Sequence, residues 1–304
     1  MKKALIPLFR PHEDERHLNI NEHAEWESAF KKHHSQLFHI NRIEDYRPFM
    51  KLAAAPFRHV VHDFFFLTNG SSKRSKGLDN YEFNKNAFFF VPANQITAHE
   101  YISEDATGYF CYFNQEIFNN KFSQKDSLNE FPFLTFSGYP LVHVEDADVV
   151  VAIINILERL LSEYGNKHIS SNLFSSYLLA LFFEIKRYAK ADEKIKEDSS
   201  TRIAQQYKNL LIRNIYEKNR IADYASMLNV SVNHLNKCVK TSTNKSAQEL
   251  LIEMMLMEAK ALLKQTDLSV NEIAWKLRKE DPSDFAKFFK SKTGVTPTEY
   301  RKQE

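Results

Sequence analysis

The residues with chemical potential are unevenly spread. Eight of the twelve histidines, His12, His17, His23, His33, His34, His39, His59 and His62, lie early in the chain. One type of metal site carried by some β-barrels uses two histidines close together on one strand, a glutamate and a distant third histidine. His59-Val-Val-His62-Asp63 offers neither an alternating pair nor a glutamate nearby, so no metal is expected. Cys111 and Cys238 are far apart and form no CxxC pair, which suits small buried hydrophobes better than ligands or a disulfide framework. With six glycines there is no phosphate-cradling glycine run, and no Ser-His-Asp arrangement follows from spacing. Neither catalysis nor a cofactor is expected. What remains is hydrogen bonding and charge. Residues 200–304 hold 18 Lys+Arg against 12 Asp+Glu, a net +6, and the rest of the chain is net −4. That asymmetry suits a polyanion-binding module beside a neutral or acidic one, although a solvated basic face would explain it equally well.

The basic segment contains a pattern that decides between these. Ile221 to Lys240 places a small residue, Ala225, where two helices must cross closely, and Asn229, which tolerates a left-handed backbone, at a turn. Leu228, Val230, Leu235 and Cys238 are spaced to fill the space between the helices. This is helix-turn-helix anatomy, and its second helix exposes Asn233, Asn236, Lys237 and Lys240. The pattern recurs in Val270 to Leu277, with Ala274 at the crossing, and in Pro282 to Lys290, exposing Ser283, Asp284, Lys287 and Lys290. The two alanines are 49 positions apart.

Capping signals position these elements. Ser246-x-x-Glu249, Ser269-x-x-Glu272 and Thr296-Pro-Thr-Glu299 read as capping boxes, in which the hydroxyl serves the amide three residues on and the carboxylate reaches back. Asp281-Pro282 is a further cap, with proline where its missing N–H costs nothing. With Ser231 and the stripes starting near 202 and 221, seven short helices are expected in this region.

Residues 36–145 read instead as strands: aromatic and β-branched runs at Phe57–Thr68, Tyr81–Val91 and Gly108–Phe113, separated by turn residues. A sheet closed into a barrel or sandwich is expected. Phe64, Phe66, Phe88, Phe90, Tyr109 and Tyr112 alternate and are candidates to line a ligand pocket, with plain core as the alternative. Asp146 to Lys190 turns helical, with stripes at Ile153, Ile156, Leu157, Leu160, Leu161 and Tyr164, then Leu173, Phe174, Tyr177, Leu178, Leu181 and Phe182. The pair packs on the barrel or offers one stripe to a second protomer. Residues 191–200, ADEKIKEDSS in the sequence, read as a linker. The N-terminal MKKALIPLFR lacks the apolar length and cleavage site of a signal peptide, and no apolar run approaches a membrane span. A cytoplasmic protein without membrane contact is expected.

Leu268-Ser-Val-Asn-Glu-Ile-Ala274 and Asp281-Pro-Ser-Asp-Phe-Ala-Lys-Phe-Phe-Lys-Ser-Lys-Thr-Gly-Val-Thr-Pro-Thr-Glu-Tyr-Arg301 resemble the signature of AraC-type transcription regulators. Asp223-Tyr-Ala225, Ser231 to Lys240 and Glu258-Ala-Lys260 are similar to the family's first unit, so the resemblance covers about residues 202–302. It implies an α+β chain: residues 1–145 a β-rich cupin-like sensor barrel, 146–190 a dimerising helical pair, 191–200 a linker, and 201–304 an all-α DNA-binding domain of two helix-turn-helix units. The helices from Ser231 and Pro282 would enter successive major grooves of double-stranded DNA, about 34 Å apart. Asn233, Asn236 and Lys237 would read bases in one groove and Ser283 and Lys287 in the other, while Lys240 and Lys290 would hold phosphates. A small-molecule effector in the barrel, a homodimer and RNA polymerase are the further partners implied. The chain departs from the family at Arg278-Lys279, where a small residue and phenylalanine are usual, and at Met254 and Asn244, where arginine and glycine are common. A second reading therefore stays open: a small-molecule- or protein-binding regulator with weak DNA affinity.

Overall fold

A computed structural model describes residues 37–47, 55–58, 60–118, 127–136, 138–166, 170–189, 199–279 and 281–303. His12, His17, His23, His33, His34 and His59 lie outside the described residues, as does the expected linker as far as residue 198. Among the described residues no group of three or more potential metal ligands comes together, and no helix is long and apolar enough to cross a membrane.

The first half is two antiparallel sheets. One has the order β1 (Phe38–Arg42), β8 (Thr107–Phe113), β3 (His62–Asn69), β6 (Ala87–Val91), β9 (Leu141–His143); the other has the order β2 (Phe57–Arg58), β7 (Ile96–Ile102), β4 (Ser71–Lys76), β5 (Asp79–Asn84). The expected run Tyr81–Val91 is two strands, broken at Lys85-Asn86, where Asn86 takes φ +61. The chain crosses between sheets at Asn69-Gly70, where the glycine has φ +78. β4, whose sequence is SSKRSK, has no apolar residue and escapes any reading by hydrophobicity. It is nonetheless largely buried, between β5 and β7.

β3 and β6 carry Phe64-Phe65-Phe66 and Phe88-Phe89-Phe90, all fully buried, because both faces of the five-stranded sheet are covered. Register sorts them. Phe65, Leu67, Ala87, Phe89 and Val91 form a core with Phe83 and Ile102 of the other sheet. Phe64, Phe66, Phe88, Phe90 and Tyr109 project from the opposite face into a core with the helical pair, α1 (Ala147–Tyr164) and α2 (Ser171–Lys186). Tyr112 belongs to neither cluster and packs near Val61. The six aromatic residues expected to line one pocket therefore do not share one space. Five are packed layers beneath the helices, because successive strand residues face opposite ways and the pleat decides which set faces inward.

α1 begins at Asp146, whose carboxylate accepts from the amides of Asp148 and Val149, at 3.0 and 3.3 Å. Its stripe Ile153, Leu157, Leu160 and Tyr164, with Phe174, Leu178, Leu181 and Phe182 of α2, is spent on this chain's own sheet. Any contact with a second protomer must use other faces.

Between the sheets lies a polar inclusion. The Arg74 guanidinium, 1% exposed, donates to Asp63 Oδ1 at 3.1 Å and sits over the rings of Phe65 and Phe89, 4.5 and 5.1 Å from their centroids. Burial lowers the Arg74 pKa, and Asp63 works against that shift. Arg74 Nε and the Tyr112 hydroxyl are buried without a hydrogen-bond partner.

The C-terminal helices are docked on the four-stranded sheet. Ile96 enters their core. Gly77 has φ +60, a left-handed backbone that favours glycine, and a Cβ there would push the tip of the Ile212 side chain, 2.8 Å away, aside. Lys208 pairs with Asp79 at 2.5 Å, and the Arg213 guanidinium lies 5.5 Å from the Phe136 ring centroid. Lys76, buried at the same seam, donates to the carbonyls of Thr135 and Gly138 at 3.0 and 2.6 Å. Desolvation, partly offset by Asp79, pushes its pKa down from 10.5 to about 7. Between those values the unfolded chain holds a proton that the native one has lost, so stability rises as pH climbs from 7 toward 10.5, and below about 7 the native state carries the full cost of the buried charge. Unfolding free energies from urea titrations between pH 6 and 9 should climb above 7, by up to about 1.4 kcal/mol per pH unit, and lose that component in Lys76→Met. Identical slopes in the two proteins would refute the assignment.

Candidate nucleic-acid interface

All seven expected helices form: α3 (Ser199–Asn214), α4 (Ile221–Met227), α5 (Val232–Thr243), α6 (Ala247–Gln265), α7 (Val270–Lys276), α8 (Pro282–Thr293) and α9 (Pro297–Lys302). α4–α5 and α7–α8 are built alike. Ala225 and Ala274 are both buried at the helix crossings. Asn229 and Arg278 take the left-handed turn position, φ +54 and +59. The next amide closes each turn onto the crossing alanine, Val230 N to Ala225 O at 3.0 Å and Lys279 N to Ala274 O at 2.9 Å. The second turn is one residue longer, so from there on equivalent positions differ by 50.

The second helix of each unit is fixed at both ends. Ser231 Oγ accepts from the His234 amide at 3.1 Å and Asp281 Oδ1 from the Ser283 amide at 2.7 Å. Asn244 and Gly294 end the helices with φ +56 and +82, so asparagine takes the left-handed cap without difficulty. Leu235, Cys238 and Val239 anchor α5, and Phe285 and Phe289 anchor α8. The opposite faces present the same positions twice: Asn233 and Ser283, His234 and Asp284, Lys237 and Lys287, Lys240 and Lys290, all exposed.

Asn236 is a correction. It is half-buried, and its amide oxygen accepts from the Ala247 N–H at 3.1 Å, bracing the start of α6 instead of standing free on the outer face. Val232, 38% exposed, and His234 stand on the outer face and were not singled out from sequence. Extending the repeat past the turn with the one-residue shift would have found them.

The capping boxes at Ser246, Ser269 and Thr296 are all formed. Hydrogen bonds from those caps hold the carboxyls of Glu249, Glu272 and Glu299 below their usual range. They start α6, α7 and α9 at defined residues and so set the angles at which the two units are presented.

A helix-turn-helix domain model matches residues 224–303. The C-terminal unit is therefore a helix-turn-helix domain. The raffinose operon transcriptional regulatory protein RafR of Pediococcus pentosaceus is 33% identical over 140 residues, 45% of this chain and 50% of that one. The Msm operon regulatory protein of Streptococcus mutans is 27% identical over 170 residues, 56% of this chain and 52% of that one. The chain spans about half the length of the curated relatives it matches. A solved structure of ToxT from Vibrio cholerae aligns over 87% of this chain and 98% of that one, with 17% identity and a TM-score of 0.43.

The helix-turn-helix domain accommodates its longer second turn. Arg278 holds a left-handed backbone at a cost of about 1 kcal/mol relative to glycine, and its carbonyl accepts from Asn219 Nδ2 at 3.0 Å. Lys279 is half-buried with Nζ 4.9 Å from the Phe288 ring centroid. The ammonium rests on the aromatic face. Met254 is fully buried in the domain core. Glu258, also on α6, accepts from the Tyr216 hydroxyl at 2.5 Å and from Arg58 of β2, which ties the helix-turn-helix domain to the sheets.

Proposed function

We propose that this protein is a sequence-specific DNA-binding transcription regulator whose helices α5 and α8 enter successive major grooves. The observation that carries the reading is the duplicated unit: two helices capped at both ends and presenting the same outward positions, in the C-terminal third of the chain, whose net charge is +6. Asn233 and Lys237 read bases in one groove and Ser283 and Lys287 in the other, with Lys240 and Lys290 on phosphates. Residues 201–304 form the DNA-binding domain, 1–145 the sensor and 146–190 the helical pair, through whose outward face at Val151 two protomers join. RafR and the Msm protein are named as operon regulators, which supports a promoter as the target, RNA polymerase as the onward partner and the cytoplasm as the compartment. An effector held by the sheet-rich region shifts the equilibrium by its difference in affinity for the two states.

The test is selection of random duplexes by the full-length protein, with the winners measured at two salt concentrations beside the Lys237→Ala, Lys287→Ala double variant. Two enriched blocks about one helical turn apart are expected. The double variant should lose at least tenfold in affinity and flatten the salt dependence by about two charges. A folded protein that enriches nothing would favour the second reading, a ligand- or protein-binding regulator whose second unit is weakened at Arg278-Lys279.

A further inference from the structure

The two recognition helices share the lysines of their outer faces, Lys237 with Lys287 and Lys240 with Lys290, and differ in charge at one outward position. Where α5 carries His234, α8 carries Asp284. An acidic side chain is costly on a face that approaches a polyanion, since each phosphate repels it. Its neighbours there, Lys287 and Lys290, carry the opposite charge.

A carboxylate in the first turn favours the positive end of the helix dipole wherever it points, but the hydrogen bond that caps this helix is made by another residue. Asp284 is the third residue of α8, the position from which Glu249, Glu272 and Glu299 reach back to their caps. No such return bond forms in α8, where the cap is supplied by Asp281 alone. The Asp284 side chain is 72% exposed, and its approach to Lys287 Nζ is 3.8 Å, an ion pair too long for a hydrogen bond. The carboxylate thus stands on the outer face in the first turn, the part of a recognition helix that meets base edges.

We propose that Asp284 is a specificity-determining residue that accepts from the N4 amino group of a cytosine in the second major groove; this rests on the DNA-binding reading above. A carboxylate only accepts. The donors on major-groove base edges are the amino groups of cytosine and adenine, and adenine sets its amino group beside the N7 acceptor, which repels a carboxylate. Cytosine is therefore selected, and the other bases are rejected by repulsion. Lys287, one turn along the same face, donates to guanine acceptors. With His234 at the matching place in α5, the two half-sites differ in sequence, and the protein acquires a direction on its operator.

The test compares base preferences selected by the full-length protein with those of Asp284→Asn, Asp284→Ala and His234→Asp, all at exposed positions. The unaltered protein should require cytosine at one position of one block. Asp284→Asn should move that preference to adenine, because an amide both donates and accepts, and should lower affinity for the cytosine site on the order of tenfold. Asp284→Ala should relax that position alone while tightening binding to random duplex. His234→Asp should create a cytosine preference in the other block. If all four proteins select the same matrix, Asp284 is a solvated charge and the assignment is wrong even though the protein binds DNA. If the unaltered protein selects nothing, the DNA-binding reading falls and takes this one with it.

Discussion

Glu258→Ala is expected to destabilise the protein by about 3–5 kcal/mol, the cost of removing one partner from a buried ion pair. Both side chains are inside, Arg58 7% and Glu258 1% exposed. Arg58 would keep its bond to the Asn94 carbonyl at 2.6 Å but lose its counter-charge, and the Tyr216 hydroxyl would lose its acceptor. That phenol sits well above its ordinary pKa, through burial first and then the charge on Glu258. The pair also joins β2 to α6, so the loss should loosen the docking of the two halves as well as the helical core. Urea unfolding followed by circular dichroism measures the cost, and Arg58→Met with Glu258→Leu is the control. An apolar pair of similar volume removes both desolvation penalties and should recover most of the stability. A cost below about 1 kcal/mol for Glu258→Ala would mean that the pair is wet in solution.

Phe182→Ala should cost about as much, 3–5 kcal/mol, for a different reason. The side chain is fully buried, and its ring lies within 6.5 Å of the rings of Phe64, Phe90, Phe113, Phe118, Phe131 and Phe133, centroid to centroid. It is the plug with which α2 closes the outer face of the five-stranded sheet. Truncation leaves a cavity walled by rings on β3, β6 and β8, which hydrogen bonding holds in place and which cannot collapse inward. The same thermal or urea measurement applies, with Phe182→Leu expected to lose less than half as much. A loss below 1 kcal/mol for the alanine variant would show that the helical pair is not docked on the sheet.

The C-terminal helices were legible because their signals are local. Ser231, Ser246, Ser269, Asp281 and Thr296 each cap the helix they precede, and a cap acts on amides two or three residues away. The repeat of Ala225 and Ala274 likewise needs only the spacing of two short helices. Asn236 was misjudged because its acceptor role depends on Ala247, which the α5–α6 corner folds back to meet it. An outward-looking position on a helical wheel carries no record of the next helix.

The strands were legible only in part, and the reason is again the range of the interaction. Helix caps, the turn residues Asn229 and Asn244, and the basic balance of residues 200–304 are properties of short stretches, and the amino-acid sequence by itself determined them. It could not determine which way Phe64, Phe65 and Phe66 face, because a run buried on both sides has no polar alternation and its pleat is set by partners as distant as Phe110 and Phe89. Nor could it show β4 as a strand, because Arg74 is made tolerable by Asp63 and two rings brought in from other strands. The docking of the two halves through Arg58 and Glu258 joins residues 200 positions apart. Only the tertiary structure decided these, because the cost of burying a charge is met by the particular groups that folding brings beside it.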